Sequence, residues 1–220
     1  MSSLLIGLTG QLKSGKDTVA DRLVSHHGFV KIGFADTIRR EVVEAYGLTT
    51  FGKSLLENQD YKDIPTNMLG LTQCGDKEFV AYLISTGMPY ASIAEKKSPR
   101  WVQQRWGDYK RATDGWDYFI KATQNTVVEW MEQGNHNIVI SGVRYAATAP
   151  TPTAEADMIH SLGGDMILIT RAGLAQQDHS TELPLPPECI DLTIKNDGSL
   201  NDLFRLADTL VLLPALRAGM

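Results

Sequence analysis

The sequence predicts an α/β fold, a doubly wound and mostly parallel sheet flanked by helices, and three observations predict it. Leu4 to Val19, LLIGLTGQLKSGKDTV, runs from a buried strand through a glycine-rich turn into a helix. Short apolar runs recur later at Asn137 to Ser141 and Asp165 to Thr170. Helical periodicities separate them, the order expected of parallel strands joined by crossover helices. The 220 residues suit a single domain, 1–220, with enough chain for a large core.

The N-terminal turn carries the strongest chemical signal. Gly10, four further residues, then Gly15 and Lys16 give the spacing of a phosphate-binding loop. Such a loop needs successive backbone N–H groups to point inward around a polyanion. Glycines permit this where a Cβ would clash, and the helix that follows turns its positive end toward the ligand. Lys16 then adds a point charge for the phosphates. Asp17 stands where a hydroxyl residue usually follows the lysine, and the hydroxyl comes one position later at Thr18.

The first helix is expected from about Gly15 to His27, burying Val19, Leu23 and Val24 and ending at Gly28. His26 and His27 suit the negative end of that helix. Phe29 to Phe34, FVKIGF, reads as a second strand, followed by a helix over IRREVVEAYG with Ile38, Val42 and Val43 inward. Asp36 at that junction either caps the helix or meets a substrate. Arg39, on the first turn, suits a phosphate, and Arg40 suits solvent.

From Gly47 to Pro99 the pattern loosens into short amphipathic pieces and turns. Tyr61, Tyr82 and Tyr90 there read as surface or core packing before base contacts. Ser98-Pro99 then starts a helix, Asp114-Gly115 interrupts it, and a second helix follows. All four tryptophans, Trp101, Trp106, Trp116 and Trp130, fall in this block with Arg100, Arg105, Lys110 and Arg111. Core packing accounts for most of the tryptophans, while the basic residues could close over an anion. NIVIS is the third strand and leads to Gly142-Val143-Arg144. An insert, YAATAPTPT, precedes a helix beginning near Glu155 and Asp157. DMILIT leads to Arg171, Asp191 to Ile194 makes a last strand, and a helix runs from Ser199-Leu200 through LNDLFRLADTLVLLPAL.

A net charge of −5 argues against nonspecific attachment to a nucleic-acid backbone. Cys74 and Cys189 read as two reduced thiols, and the five histidines show no metal-site spacing. No apolar run reaches membrane-spanning length, so an intracellular, cytoplasmic protein is expected.

Taken together, SGKDT at Ser14 to Thr18, FAD at Phe34 to Asp36, QQRWGDY at Gln103 to Tyr109, WDYF at Trp116 to Phe119, GVR at Gly142 to Arg144, RAGLAQQDHSTE at Arg171 to Glu182 and IKNDGSL at Ile194 to Leu200 resemble the phage deoxynucleoside monophosphate kinases. These are P-loop kinases, and the similarity extends more distantly to dephospho-coenzyme A kinases. The resemblance implies a P-loop kinase fold in which 47–132 supply a largely helical acceptor-binding and closing region. It implies transfer of the γ-phosphoryl group of ATP, with Mg2+, to a deoxynucleoside 5'-monophosphate, in the host cytoplasm if the chain is phage-encoded.

By position, the resemblance gives ATP to Gly10, Lys13, Ser14, Gly15, Lys16, Asp17 and Thr18, and the acceptor to Asp36, Arg39, Arg105, Arg111 and Arg144. The metal goes to Asp17 on a different ground, as an oxygen ligand where the hydroxyl after Lys16 and a carboxylate at Gly142 are both missing, the alternative being a charge that only stabilises the helix N-terminus. Lys16, Arg105, Arg144 and Arg171 serve the transfer, and Asn196 and Asp197 border the base. Stable nucleic-acid binding and membrane association are not expected, and a homodimer stays open. Two departures stand out. Gly142 replaces an aspartate common in the family, two residues before the arginine, and the insert after Arg144 lengthens a connection that is usually short. A kinase acting on hydroxymethylated bases in phage DNA and a nucleotide-binding regulator without catalysis are the alternatives.

Overall fold

The computed structural model describes residues 4–58, 60–174 and 183–212. The chain divides into two compact units, one formed by Met1–Phe34 with Ile120–Met220 and the other by Ala35–Phe119. The strands are β1 (Leu4–Thr9), β2 (Val30–Ile32), β3 (Asn137–Ser141), β4 (Asp165–Thr170) and β5 (Leu192–Lys195). The described helices are α1 (Lys16–His27), α2 (Phe34–Tyr46), α3 (Thr50–Glu57), α4 (Lys77–Ser85), α5 (Pro99–Thr113), α6 (Tyr118–Glu132), α7 (Ala154–Ser161) and α8 (Leu200–Thr209). None of them is long and apolar enough to cross a membrane.

The first unit holds the sheet, in the order β2-β3-β1-β4-β5, with every strand parallel to its neighbours. β1 is central and all six of its residues are buried, which explains why LLIGLT is almost continuously apolar. Leu4, Ile6 and Leu8 pack with Val19, Ala20 and Leu23 of α1 and Leu203 and Ala207 of α8. Leu5 joins Val127 of α6 and Ala156, Met158 and Ile159 of α7 in the other cluster. Gly7 faces this second cluster, where a Cβ would stand 2.4 Å from the Met166 sulfur and 2.6 Å from Ile159. The connection from β1 leads toward the β3 side and that from β3 toward the β4 side. The end of β1 is therefore the switch point of the sheet, where ligands bind in open α/β folds.

Four local expectations are corrected. Val24 is 40% exposed and Ala20 is buried in its place, because residue 24 lies about 100° around the helix from Leu23. The second strand spans three residues rather than Phe29 to Phe34. Its register with β3 ends at Ile32 and Ile140, near the end of β3, and the chain turns at Gly33 so that Phe34 packs on the core. The last strand is shifted by one residue, since Asp191 instead accepts the Met166 N–H at 2.7 Å and faces His160 Nε2 at 2.9 Å. α8 stops at Thr209 and a 3-10 turn covers Leu210–Leu212; the rest of that apolar run lies outside the described residues.

The second unit is built on α3, α4, α5 and most of α2, joined by short 3-10 turns. Its core is aromatic. Phe79 lies 4.9 Å from Trp106 and 5.5 Å from Tyr109, centroid to centroid, with Val42, Leu69, Leu83 and Val102 around them. Trp106 is a core residue, whereas Trp116, Tyr61 and Tyr90 are exposed. Ser98 caps α5 by accepting the Trp101 N–H, with Pro99 at the first turn. Each unit buries one cysteine, Cys189 in the first and Cys74 in the second.

Candidate functional site

β1 delivers the chain to Gly10, whose φ is +139°. A Cβ there would stand 2.2 Å from the Ile169 carbonyl oxygen, so only glycine lets the loop leave the sheet beside β4. Lys13 has φ +65° and Gly15 φ +108°, and α1 begins at Lys16. Ser14 is wholly buried. Its N–H donates to Gln11 O at 3.1 Å and its carbonyl accepts Asn196 Nδ2 at 2.9 Å. Its hydroxyl has no partner among the described residues. Lys16 Nζ donates to the carbonyls of Gly10 and Gln11, each at 2.7 Å, which holds the ammonium against the loop. A glycine-shaped cradle, a helix N-terminus and a lysine together suit a polyphosphate.

Asp17 is 77% exposed and lies 3.4 Å from Lys31 Nζ, which also meets Asp21 at 2.9 Å. Beside the loop is a cavity of about 260 Å³. Lys13, Gly15, Lys16, Asp17, Thr18, Arg171 and Asn196 line it, together with Leu12, Gly198, Leu200 and Leu203. The leucines were not singled out from the sequence. Leu12 and Leu200 are more than half exposed, and an apolar residue inside a glycine loop was the available signal. Asp197 turns elsewhere and accepts the Ala172 N–H at 2.7 Å, which ties down the loop that carries Arg171. Ser199 and Asp202 cap α8 reciprocally. The stretch 175–182, part of the RAGLAQQDHSTE motif, lies outside the described residues.

The turn after β3 hangs on the end of β1. The N–H groups of Gly142 and Val143 both donate to Leu8 O at 3.1 Å, and Thr9 Oγ1 donates to Val143 O at 2.9 Å. Gly142 has φ +77°, a conformation that a side chain would strain. Arg144 is exposed, its N–H donates to Glu155 Oε2 at 2.8 Å, and it is not among the residues lining the cavity. The insert folds back on itself through Ala146 N–H and Pro152 O at 2.9 Å.

The other predicted residues lie in the second unit. Asp36 is within the first turn of α2, which starts at Phe34, so it is not the cap residue, and it pairs with Arg39. Arg40 is exposed. On α5, Arg105 and Arg111 share Asp108 at 3.3 and 3.9 Å. Arg111 also lies 5.4 Å from the Phe119 ring centroid. Gly107 opens this helix face, since a Cβ there would stand 3.1 Å from Arg111 Nη1.

Residues 113–206 match the deoxynucleotide monophosphate kinase family. The chain is 27% identical to the deoxynucleotide monophosphate kinase of Enterobacteria phage T4, covering 95% of this chain and 99% of that one. It is 26% identical to an Acanthamoeba polyphaga mimivirus protein provisionally named as a deoxynucleotide monophosphate kinase, covering 91% and 92%. Among solved structures, a dephospho-CoA kinase from Campylobacter jejuni aligns over 98% of both chains with 14% identity and a TM-score of 0.47.

Proposed function

From the chain's distant homology to phage and viral deoxynucleotide monophosphate kinases, we propose that it transfers the γ-phosphoryl group of ATP to the 5'-phosphate of a deoxynucleoside monophosphate. The observation that carries this reading is the phosphate cradle at the end of the central strand, with a cavity of about 260 Å³ beside it walled by Leu12, Leu200 and Arg171. An apolar and guanidinium wall suits a base, and the cradle suits its phosphates.

Phosphoryl transfer asks the protein chiefly to position two polyanions and to offset charge developing between them. Lys16 supplies positive charge to the donor phosphates, and Arg171 adds charge at the cavity. Asp36, Arg39, Arg105, Arg111 and Arg144 are assigned to the acceptor. Magnesium, when bound, neutralises phosphate charge and needs only one or two protein oxygens because it retains water. Asp17 is the candidate, assisted by Thr18. No cluster of three or more metal-ligating side chains occurs among the described residues, and this mode of binding requires none.

The test is transfer from labelled ATP to each deoxynucleoside monophosphate, to dephospho-coenzyme A and to DNA containing hydroxymethylated bases. Label is expected in one or more deoxynucleoside diphosphates. Label only in DNA or only in coenzyme A would overturn the acceptor assignment, and ATP binding without transfer to any acceptor would make the protein a regulator.

A further inference from the structure

The side chain of Asn196 reaches across the end of the sheet to the phosphate loop. It is 7% exposed, and its own N–H is fixed to Thr170 O at 2.7 Å, so the amide springs from the anchored end of β5. Its Nδ2 donates to the Ser14 carbonyl at 2.9 Å. In a trans peptide the C=O and the following N–H point to opposite sides. Holding Ser14 O against Asn196 therefore turns the Gly15 N–H away from the amide. Gly15 is what permits the approach, since a Cβ there would stand 2.7 Å from Asn196 Nδ2. Asp197, the next residue, holds the Ala172 N–H at 2.7 Å, so the same turn braces the loop that carries Arg171.

We propose that Asn196 is a positioning residue for the donor polyphosphate: by fixing the Ser14–Gly15 peptide plane it keeps the Gly15 N–H directed at the anion. The inference rests on the reading of Gly10–Thr18 as the donor-phosphate cradle. A peptide free to rotate would spend part of its time presenting a carbonyl oxygen to the phosphates, and preorganisation of the donor is lost. The role differs from base recognition, which the position of Asn196 at the cavity wall would otherwise suggest, because the hydrogen bond its Nδ2 makes goes to the loop backbone.

Asn196→Asp, which replaces the donor with an acceptor of the same shape, and Asn196→Ala are compared with wild type. The probes are inorganic tripolyphosphate and ATP, titrated by calorimetry, with deuterium uptake of the 10–18 segment as a structural readout. Affinity for both probes is expected to fall together by about tenfold, with faster uptake in the loop. Asn196→Ser, smaller and still polar, carries the same comparison if the first two lose thermal stability. Unchanged tripolyphosphate affinity with weakened ATP binding would make Asn196 a base-recognition residue and overturn the inference, as would unchanged affinity for both. A wild type that binds neither probe would instead overturn the phosphate-loop reading on which the inference rests.

Discussion

Trp106 Nε1 donates to Glu41 Oε2 at 2.7 Å, and the other oxygen of that carboxylate takes the Tyr118 hydroxyl at 2.6 Å. Glu41 thus joins α2 to α5 and to the start of α6 within the aromatic core of the second unit. Hydrogen bonds to a charged acceptor are worth about 1.5–3 kcal/mol, and Trp106 is a buried residue whose indole N–H loses its acceptor with Glu41. Glu41→Ala is expected to lower unfolding free energy by about 2 kcal/mol, and Glu41→Gln by less, in urea titrations followed by tryptophan fluorescence.

The same cluster predicts an alkaline limit. Burial first, and then the Glu41 carboxylate, push Tyr118 up to about 12, and burial and nearby acids push Tyr109 up to about 12. Unfolded tyrosine loses its proton near 10. The unfolded state therefore binds fewer protons than the native state between those values, and stability is full below pH 10 and falls toward pH 12. Denaturant midpoints measured from pH 9 to 12 should decline over that window, and Tyr118→Phe should shallow the slope.

Lys16 and Asp17 separate by what their loss changes. Lys16→Ala should reduce transfer by about a hundredfold or more, through lost stabilisation of transition-state charge. Asp17→Asn keeps the shape and deletes a charge that is already shared with Lys31. It should raise the magnesium concentration needed for half-maximal rate and lower the maximum, with Tm nearly unchanged. Superimposable magnesium titrations at saturating ATP and acceptor would leave Asp17 as a helix-terminus charge only.

Arginine substitutions should divide by unit. Arg171→Ala, at the cavity beside the phosphate loop, is expected to raise KM for ATP. Arg105→Ala and Arg111→Ala, released from their shared Asp108, are expected to raise KM for the acceptor by about tenfold each, consistent with one charge-assisted hydrogen bond. Steady-state kinetics with each substrate varied in turn would check the division.

Asp208 of α8 takes two hydrogen bonds from Arg22, at 2.8 and 2.9 Å, and faces His27 Nε2 at 2.7 Å. The Arg22 and then the His27 hydrogen bonds hold its carboxyl well below the usual aspartate range. A depressed carboxylate stabilises the fold above its unfolded value, near 4, and the contribution disappears as pH falls through the lower native value. Asp208→Asn should lower Tm by a few degrees at pH 6, and the difference from wild type should close progressively below pH 4.

The phosphate loop was legible because its demands are local. A Cβ cannot fit at Gly10, a positive charge must follow Gly15, and both requirements appear at fixed spacing. β1, β3 and β4 were legible because strands buried on both faces are continuously apolar. β2 was not, since an edge strand is ended by its partner's length and FVKIGF carries no mark of where β3 stops. Leu200 escaped because an exposed leucine and a core leucine look alike in sequence, and Leu12 was marked only by its place inside the glycine loop. The Asn196 contact with Ser14 joins positions 182 residues apart, and no spacing rule reaches that far.

The two cysteines have a practical consequence for following the protein's motions. Cys74 and Cys189 are buried in different units, and burial raises both thiols above their ordinary value, so each reacts with an alkylating reagent only when its own surroundings open. The chain thus comes with two native clocks. Counting the label at each site against time reads the breathing of the sheet-bearing unit and of the aromatic helical unit separately, in one sample and without an added probe.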